Sequence, residues 1–413
     1  MNVRARMVAA IVLGSCIGSA AVRAAPVEPP PAGSDLTAPP AAAPTLTAPA
    51  PEVAPAATLA PVKIESPSTT IKFGFLAQPQ YEGAGSVAAD GFASNLFLRR
   101  ARILVGGTLF GLFDYFLDTD FPNLFKTTAV APPATSVKPT PGMNIQDVFV
   151  TYKPMADLLK VDVGYMLPPL AHNAVQGAGT LYGLDYFAFS FLHSGVFNTS
   201  ASPVGRDVGV QARGLVLDGK LEYRAGLFQG KRNDPTATEV GARNFFRFAA
   251  RVQVNLFDPE PGFFYAGTYF GAKKIVSVGA SLDVQGGYRY FAGDVFADLP
   301  IGPGVFTGQL NLTHLNGGTF IPAATPLPGQ TLLMAEAGFN FKAFQVSPIV
   351  RFEQRWVDGP PPAGASETRF SLGAAYWPYL HNSNLKLFYT RLSTEDAPHG
   401  ANQVNLQWQV YFF

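Results

Sequence analysis

Most of this chain consists of short segments in which every second residue is apolar. Over residues 276–285, valine, alanine and leucine occupy alternate positions, and serine, glycine, aspartate and glutamine stand between them. A period of two places the two sets of side chains on opposite faces of a β-strand. Segments of roughly 8–12 residues with this pattern recur along the chain, separated by Gly, Pro, Asn and Asp. The pattern predicts an all-β protein built from antiparallel strands.

The second face of these segments carries charges. Between Phe246 and Leu256, apolar residues alternate with Arg247, Arg251 and Gln253. A soluble sandwich, a propeller and a membrane barrel can all show this alternation. In lipid, the unpaired backbone groups of an open sheet edge cost several kcal/mol each, so only a closed barrel is stable there.

Segment length, connections and composition favour the membrane barrel. The segments match the roughly 9–11 tilted residues that cross a hydrocarbon core. Tight connections such as Phe110–Leu112 and Asp218–Gly219 alternate with long ones such as Pro122–Gly142 and Pro168–Gly205, which is typical of periplasmic turns and external loops. Only 14% of the residues are charged, against an average of about 25%. We therefore predict an antiparallel transmembrane β-barrel of about 16 strands over residues 68–413, located in the bacterial outer membrane.

The first 67 residues differ from the rest in composition. Residues 1–24 contain two early arginines, an apolar run and Val22-Arg23-Ala24, the pattern of a secretory signal peptide that is removed. Cys16 lies in this signal, so the mature chain has no thiol; the alternative is a lipoprotein processing box that lipidates Cys16. Residues 25–67 are rich in Pro and Ala and predict a semi-rigid, mostly disordered spacer, or alternatively a tether to the cell wall or a partner.

Loss of the signal also changes the charge of the chain. Three arginines leave with it, which takes the formal net charge from +1 to −2. No basic excess remains to attract nucleic acid. We therefore expect outer-membrane lipid and small solutes as partners.

The hairpin Arg99–Phe121 shows how charges fit such a barrel. The alternation directs Phe97, Ile103, Val105, Phe113, Tyr115 and Leu117 toward lipid and Arg100, Arg102, Asp114 and Asp118 toward the lumen. A lipid-facing arginine near mid-membrane would cost about 2–4 kcal/mol. Arg99 breaks the alternation, and we expect it near the headgroups, where its stem can snorkel. The inward charges can pair across the hairpin, line the pore, or do both.

The same alternation along the chain yields a set of candidate pore-lining residues. They are Arg100, Arg102, Asp114, Asp118, Arg213, Arg224, Arg247, Arg251, Arg351, Glu353 and Arg355. Rings of side chains with one sign of charge set ion selectivity. The mixture of signs in this set predicts at most mild selectivity.

The sequence contains no pattern that predicts catalysis. Its histidines lie far apart without a metal-ligand spacing, and it has no GxSxG, P-loop or Rossmann fingerprint. His314, at the end of a strand segment, is the residue that an outer-membrane hydrolase could use, although a lone strand-end histidine is usually an interfacial residue. We predict a protein that is not an enzyme and has no cofactor or metal.

Six segments, taken in order, carry a family resemblance. They are "FLRRARILVGGTLFGLFDYFLDTDF", "IQDVFVTYKP", "KVDVGYMLPPLA", "VGRDVGVQARGLVLDGKLEYRAGLFQGKRND", "RFAARVQVN" and "KKIVSVGASLDVQ". Together they resemble the phosphate-selective porin O and P family over most of Ile71–Phe413. The resemblance implies a 16-stranded outer-membrane porin, usually a homotrimer, whose long third external loop folds into the pore.

The candidate constriction loop, Pro168–Gly205, departs from that family. Founding members bind phosphate through arginines and lysines of the loop and wall, whereas this loop contains neither and has His172, Asp185 and His193 instead. We predict passive diffusion of small hydrophilic solutes or ions, with phosphate and other anions as candidate cargo. The alternative is a barrel that acts as an adhesin or cell-wall anchor.

The last strand conflicts with the alternation at its end. Outer-membrane strands usually end in an aromatic residue, and Phe413 supplies it. However, Phe413 falls on the side of Gln407 and Gln409, opposite the apolar residues. We expect either a bulge or a contact with a neighbouring subunit to place its ring.

Overall fold

The computed structural model describes most of the predicted barrel. It covers residues 61–85, 92–127, 142–192, 205–231, 245–317, 327–359, 366–395 and 397–413. The predicted signal peptide, most of the predicted spacer, Cys16 and His193 lie outside these residues. Strand structure begins at Val62, within the last residues of the predicted spacer.

The described residues form seventeen β-strands and two short 3₁₀ helices, His172–Val175 and Ala178–Thr180. The strands are β1 (Val62–Ser66), β2 (Thr69–Gly85), β3 (Phe92–Leu109), β4 (Phe113–Asp120), β5 (Asn144–Met155), β6 (Leu159–Met166), β7 (Asp207–Val216), β8 (Leu221–Phe228), β9 (Arg247–Asn255), β10 (Ile275–Gln285), β11 (Tyr288–Ile301), β12 (Gly304–Asn316), β13 (Gln330–Phe341), β14 (Val346–Val357), β15 (Glu367–Tyr379), β16 (Ser383–Thr394) and β17 (Ala397–Phe412). No helix among the described residues has the length and apolarity that a membrane crossing requires.

Sixteen of these strands close into a barrel. From β2 to β17, each strand pairs antiparallel with the next one in sequence, and β17 pairs with β2. The short β1 forms a hairpin with β2 at one end of the wall. Closure leaves no open sheet edge, which is the condition for a sheet in lipid. The prediction of about 16 antiparallel strands is confirmed.

The period of two is what sorts the side chains between lipid and lumen. Phe248, Val278 and Val350 point outward and are 38%, 48% and 39% exposed. Arg247 and Arg251, their neighbours on the opposite face, are buried inside the barrel. A lipid-facing charge is costly, whereas an inward one can be hydrated or paired. The predicted division into an apolar exterior and a polar interior is confirmed.

The connections divide the barrel into two ends. Tight turns at Phe110–Leu112 and 217–220 lie at one end, which is the periplasmic end by the rule for outer-membrane barrels. The predicted alternation of short and long connections does not hold throughout the barrel. The connection after β9, residues 256–274, is long although it lies at the periplasmic end, and Gly286-Gly287 is a tight turn at the external end.

A β-bulge in the first barrel hairpin changes which residues face the lumen. One residue of β2, Gln78, stands opposite two of β3, Arg99 and Arg100. Both arginines point inward, and the alternation is shifted beyond them: Phe97 is 5% exposed and Leu96 is 77% exposed. The prediction that Phe97 faces lipid is therefore wrong. The prediction that Arg99 lies near the headgroups is also wrong. Both errors arise because a bulge adds one residue and reverses the alternation.

The ring of Phe413 lies inside the barrel. Its centroid is 5.5 Å from that of Phe116. A Cβ at Gly74 or Gly106 would come within 2.6 Å or 2.8 Å of the ring, so the two glycines leave a slot for it. Neither the expected bulge nor the expected contact with a neighbouring subunit places this ring. The strands β17 and β2 pair without a register shift, and the ring does not face outward.

This slot makes Phe413 important for closing the barrel. We expect Phe413→Ala to lower the amount of folded protein in the outer membrane, since it removes about 2 kcal/mol of apolar burial where the last strand meets the first. Heat-modifiable electrophoretic mobility of outer-membrane fractions measures this. The control is Phe412→Ala, which removes the adjacent ring from the other face. Equal folded yields of the two variants would contradict the prediction.

Candidate functional site

The connection between β6 and β7 enters the lumen in its described residues, 167–192 and 205–206. We call it the inner loop; it is the third connection at the external end. Its apolar residues Leu170, Ala174 and Val175 are fully buried against the inner wall. Apolar side chains cannot stay in an aqueous lumen at low cost, so they pack together on one side of it.

Polar side chains of the wall hold the backbone of the inner loop. Lys386 Nζ donates to the carbonyl oxygens of Leu181 and Gly183, both at 2.7 Å. Arg351 donates to the carbonyl oxygen of Asp185 at 2.8 Å, and the amide of Ala188 donates to Glu353 at 2.9 Å. These bonds satisfy loop carbonyls and amides that would otherwise be buried without partners.

Asp185 is the point where the bulge and the inner loop meet. Its carboxylate accepts hydrogen bonds from Arg99 Nε at 2.7 Å and from Arg100 Nη2 at 2.5 Å. Burial by itself would raise the pKa of Asp185, but the charges of Arg100 and Arg99 outweigh it and hold that pKa well below its usual range. The two inward arginines that the bulge creates therefore clamp the loop to β3.

A second segment enters the lumen from the periplasmic end. This segment, residues 256–274 between β9 and β10, is called the periplasmic insertion. It lies beside the inner loop, with a parallel bridge between Gln176 and Tyr265 and a hydrogen bond from the amide of Gly177 to the carbonyl of Tyr265 at 2.9 Å. Arg224 donates to the carbonyl of Phe263 at 2.6 Å. We did not predict the periplasmic insertion from the sequence. The feature that could have indicated it is the long aromatic stretch "FFYAGTYF", which stands where a tight turn was expected.

His172 joins the two inserted segments and does not line the lumen. Its ring is stacked between Tyr265 and Phe296, at centroid distances of 4.5 Å and 4.2 Å. Its Nε2 lies 2.9 Å from Glu260 Oε2 in the periplasmic insertion. Burial would raise the pKa of Glu260, but the neighbouring His172 lowers it below its usual value. The predicted role of His172 in the constriction is replaced by a structural one.

Two cavities remain in the lumen beside these segments. The outer chamber, about 540 Å³, opens from the external end and is bounded by β2, β3 and the inner loop. The inner chamber, about 560 Å³, lies at the periplasmic end between β4, β5 and the periplasmic insertion. Both chambers are lined by Arg102, Tyr186 and Arg206, which we call the throat. The two chambers therefore adjoin at the throat, and both lie against β2–β5 of the wall.

The two throat arginines are paired with carboxylates of the wall. Arg102 donates to Asp118 at 2.7 Å and to Asp120 at 2.9 Å. Arg206 forms an ion pair with Asp147 at 3.2 Å. Tyr186 donates from its hydroxyl to the carbonyl of Gln176 at 2.7 Å, which fixes the position of its ring. The throat thus presents guanidinium groups whose charge is largely balanced.

The candidate pore-lining residues separate into two groups. Those that line a chamber are Arg100, Arg102, Asp114, Asp118, Arg213, Arg351 and Glu353. Arg224, Arg247 and Arg251 point inward but line neither chamber. Carboxylates pair with all three, and the inserted segments also cover Arg224 and Arg251. Arg355 also lines neither and donates to Gln330 at 2.8 Å.

His314 lies on the outer face of β12, and its Nδ1 is 3.1 Å from Thr331 Oγ1. Its neighbours on the same face of that strand are the apolar Leu312 and Asn316, the last residue of β12. No group of three or more metal-ligating side chains is present among the described residues. The surroundings of His314 are those of a lipid-facing strand end.

Comparison with known proteins identifies the fold. No family model matches the chain, and no curated protein matches its sequence. The structure is similar to the outer membrane channel DcaP of Acinetobacter baumannii, with a TM-score of 0.52 and 11% identity over 86% of this chain and 100% of that chain. It is also similar to OmpF of Salmonella typhi in complex with daunomycin, with a TM-score of 0.50 and 12% identity over 85% and 100%.

The chain has the fold of an outer-membrane porin. The closed barrel of sixteen strands and the apolar exterior agree with this fold and with a location in the bacterial outer membrane. At this level of identity the similarity establishes the fold and not the cargo. The resemblance to the phosphate-selective O and P family stays a prediction.

Proposed function

We propose that this protein is a porin that lets small hydrophilic solutes and ions diffuse passively through its lumen. The observation that carries the proposal is the pair of adjoining chambers, which together run from the external to the periplasmic end. Polar and charged side chains line the outer chamber, as expected for a hydrated path. An adhesin or wall anchor would have no use for such a path.

We assign the path a weak preference for anions. Of the described residues, those that line the outer chamber with a basic side chain outnumber the acidic ones: Arg99, Arg100, Arg102, Lys126, Arg206, Arg351 and Arg369 against Glu82, Asp120, Asp185 and Glu353. Most of these cations are already paired with carboxylates, which reduces the field that they exert on a passing ion. Phosphate would pass as one small anion among others, because the inner loop supplies a single basic residue other than histidine, Arg206, and this arginine is paired with Asp147. The homotrimer that the family resemblance implies stays a prediction.

Ion currents across planar bilayers test the function and the selectivity together. In a KCl gradient we expect stepwise channel openings and a small reversal potential of the sign that chloride permeation produces. Addition of phosphate should not block the chloride current. Bilayers that receive detergent alone are the control. Absence of conductance from folded protein would contradict the porin function and favour an anchor, whereas a large reversal potential or a phosphate block would contradict weak selectivity.

A further inference from the structure

The inner chamber has an aromatic wall, which is unusual for the lumen of a porin. The ring of Phe116 lies 5.7 Å from Phe149, 5.9 Å from Phe264 and 5.5 Å from Phe413. Phe263 continues this surface and stacks on Phe149 at 4.4 Å. Lumen-facing positions of a barrel are ordinarily polar. Here aromatic rings from β4, β5, the periplasmic insertion and the C-terminus converge on one cavity.

Basic side chains surround this aromatic wall. Arg102 and Arg206 enter the chamber from the throat, and Arg213 places its guanidinium carbon 5.4 Å from the centre of the Phe263 ring. Lys160 and Lys273 also line the chamber. The acidic residues of the same lining are fewer, and one of them, Glu260, is already bound to His172 and to the hydroxyl of Tyr269 at 2.7 Å. The three arginines and Lys160 are also paired with carboxylates, most of which lie outside this lining.

Rings beside cations are complementary to one chemical class of solute. We propose that the inner chamber binds, in transit, small anions that carry a flat apolar ring, of which aromatic carboxylates are the simplest. The ring stacks on the phenylalanine surface, and the carboxylate faces the arginines of the throat. This inference rests on the proposed porin function, since the solute must reach the chamber through the throat.

Other solute classes fit the chamber less well. A neutral sugar can stack on the rings, but it carries no negative charge for the surrounding arginines and lysines. A free phosphate would use the cations and leave the rings in contact with water. An aromatic ammonium ion would stack on the rings but meet the surrounding arginines and lysines as a like charge. Only a molecule that carries both a ring and a negative charge interacts with the phenylalanine surface and with the basic side chains at the same time.

Inhibition of the chloride current by three small ions tests the proposal. The probes are benzoate, acetate and benzylammonium, added separately at pH 8 to channels in a planar bilayer. We expect benzoate to halve the chloride current at a concentration about fivefold lower than acetate does, because ring stacking adds to the charge interaction. Benzylammonium should not block at that concentration. Equal potency of benzoate and acetate, or of benzoate and benzylammonium, would overturn the assignment.

A variant locates the effect in the inner chamber. Phe264→Ala removes the ring that the periplasmic insertion presents to Phe116, and we expect it to reduce the benzoate-to-acetate ratio to about twofold or less. Phe248→Ala is the matched control, because it removes a ring from the lipid-facing side of β9 and should keep the full ratio. If both variants conduct chloride and keep the full ratio, the site is not in this chamber. If the wild type conducts chloride without distinguishing the probes, the porin function stands and this inference fails; if folded wild type conducts nothing, the porin function fails first.

Discussion

Replacement of residues 259–273 by Asn-Gly is expected to raise the single-channel conductance roughly twofold, since it removes one of the two segments that fill the lumen. Asp258 and Lys274 already pair across the ends of the periplasmic insertion, with a backbone hydrogen bond of 2.9 Å, so a two-residue turn can join them. The side chains that the insertion covers, such as Arg224, retain their carboxylate partners and become accessible to water. Conductance steps in KCl measure the change.

The control for this deletion introduces the same Asn-Gly linker at a different turn of the barrel. Asn-Gly in place of Gly286-Gly287 alters a tight turn at the external end, where Gly286 has a φ of +56° and a left-handed turn is already present. This variant should conduct like the wild type. Heat-modifiable mobility shows whether each variant is folded. A folded deletion variant with unchanged conductance would show that the periplasmic insertion does not obstruct the path.

Asp185→Asn is expected to give channels with larger and noisier conductance. The substitution removes the charge that holds the inner loop to Arg99 and Arg100, a loss on the order of 2 kcal/mol of loop anchoring for charge-assisted hydrogen bonds. The hydrogen bonds from Lys386 and Arg351 to the loop backbone remain, so the loop moves locally and does not leave the lumen. Single-channel recordings of mean current and of current noise measure this. Asp218→Asn, at a periplasmic turn, is the control for removal of one negative charge.

The same contact predicts how the channel responds to acid. A carboxyl group whose pKa is lowered in the folded state stabilises that state at pH values above the pKa of the unfolded state, which is about 3.9 for aspartate. This stabilisation is lost as the pH falls toward the lowered pKa. The pKa of Asp185 is lowered by its two arginines. Conductance and noise of the wild type should therefore stay constant from about pH 7 to pH 4. A marked increase near pH 5 would contradict the assignment of Asp185 as the clamp.

The wall of the barrel was predictable because its rule is local. Arg247 and Arg251 face inward and Phe248 faces outward, as the alternation predicts, since a strand reverses side-chain direction at each residue. The predicted positions of Phe97 and Arg99 were wrong for the same reason, the β-bulge opposite Gln78. A bulge depends on how two strands pair, and neither strand alone contains that information.

The candidate site was predictable only in part. Arg102, Asp118 and Arg351 line the chambers, and the alternation alone gives the direction of their side chains. Arg206 and Tyr186, which complete the throat, lie in a connection without periodicity. The alternation also gives the inward direction of Arg224 and Arg251, but it does not indicate that segments distant in sequence cover them.

By itself the sequence determined a sheet that must close in lipid, with its apolar face outward and its charges inside, because the bilayer penalises both open edges and exposed charges. Only the tertiary structure decided what fills the interior. Lys386 holds Leu181, 205 residues away, and Arg99 holds Asp185. These contacts join residues that no local pattern relates, and they set where the chambers and the throat lie.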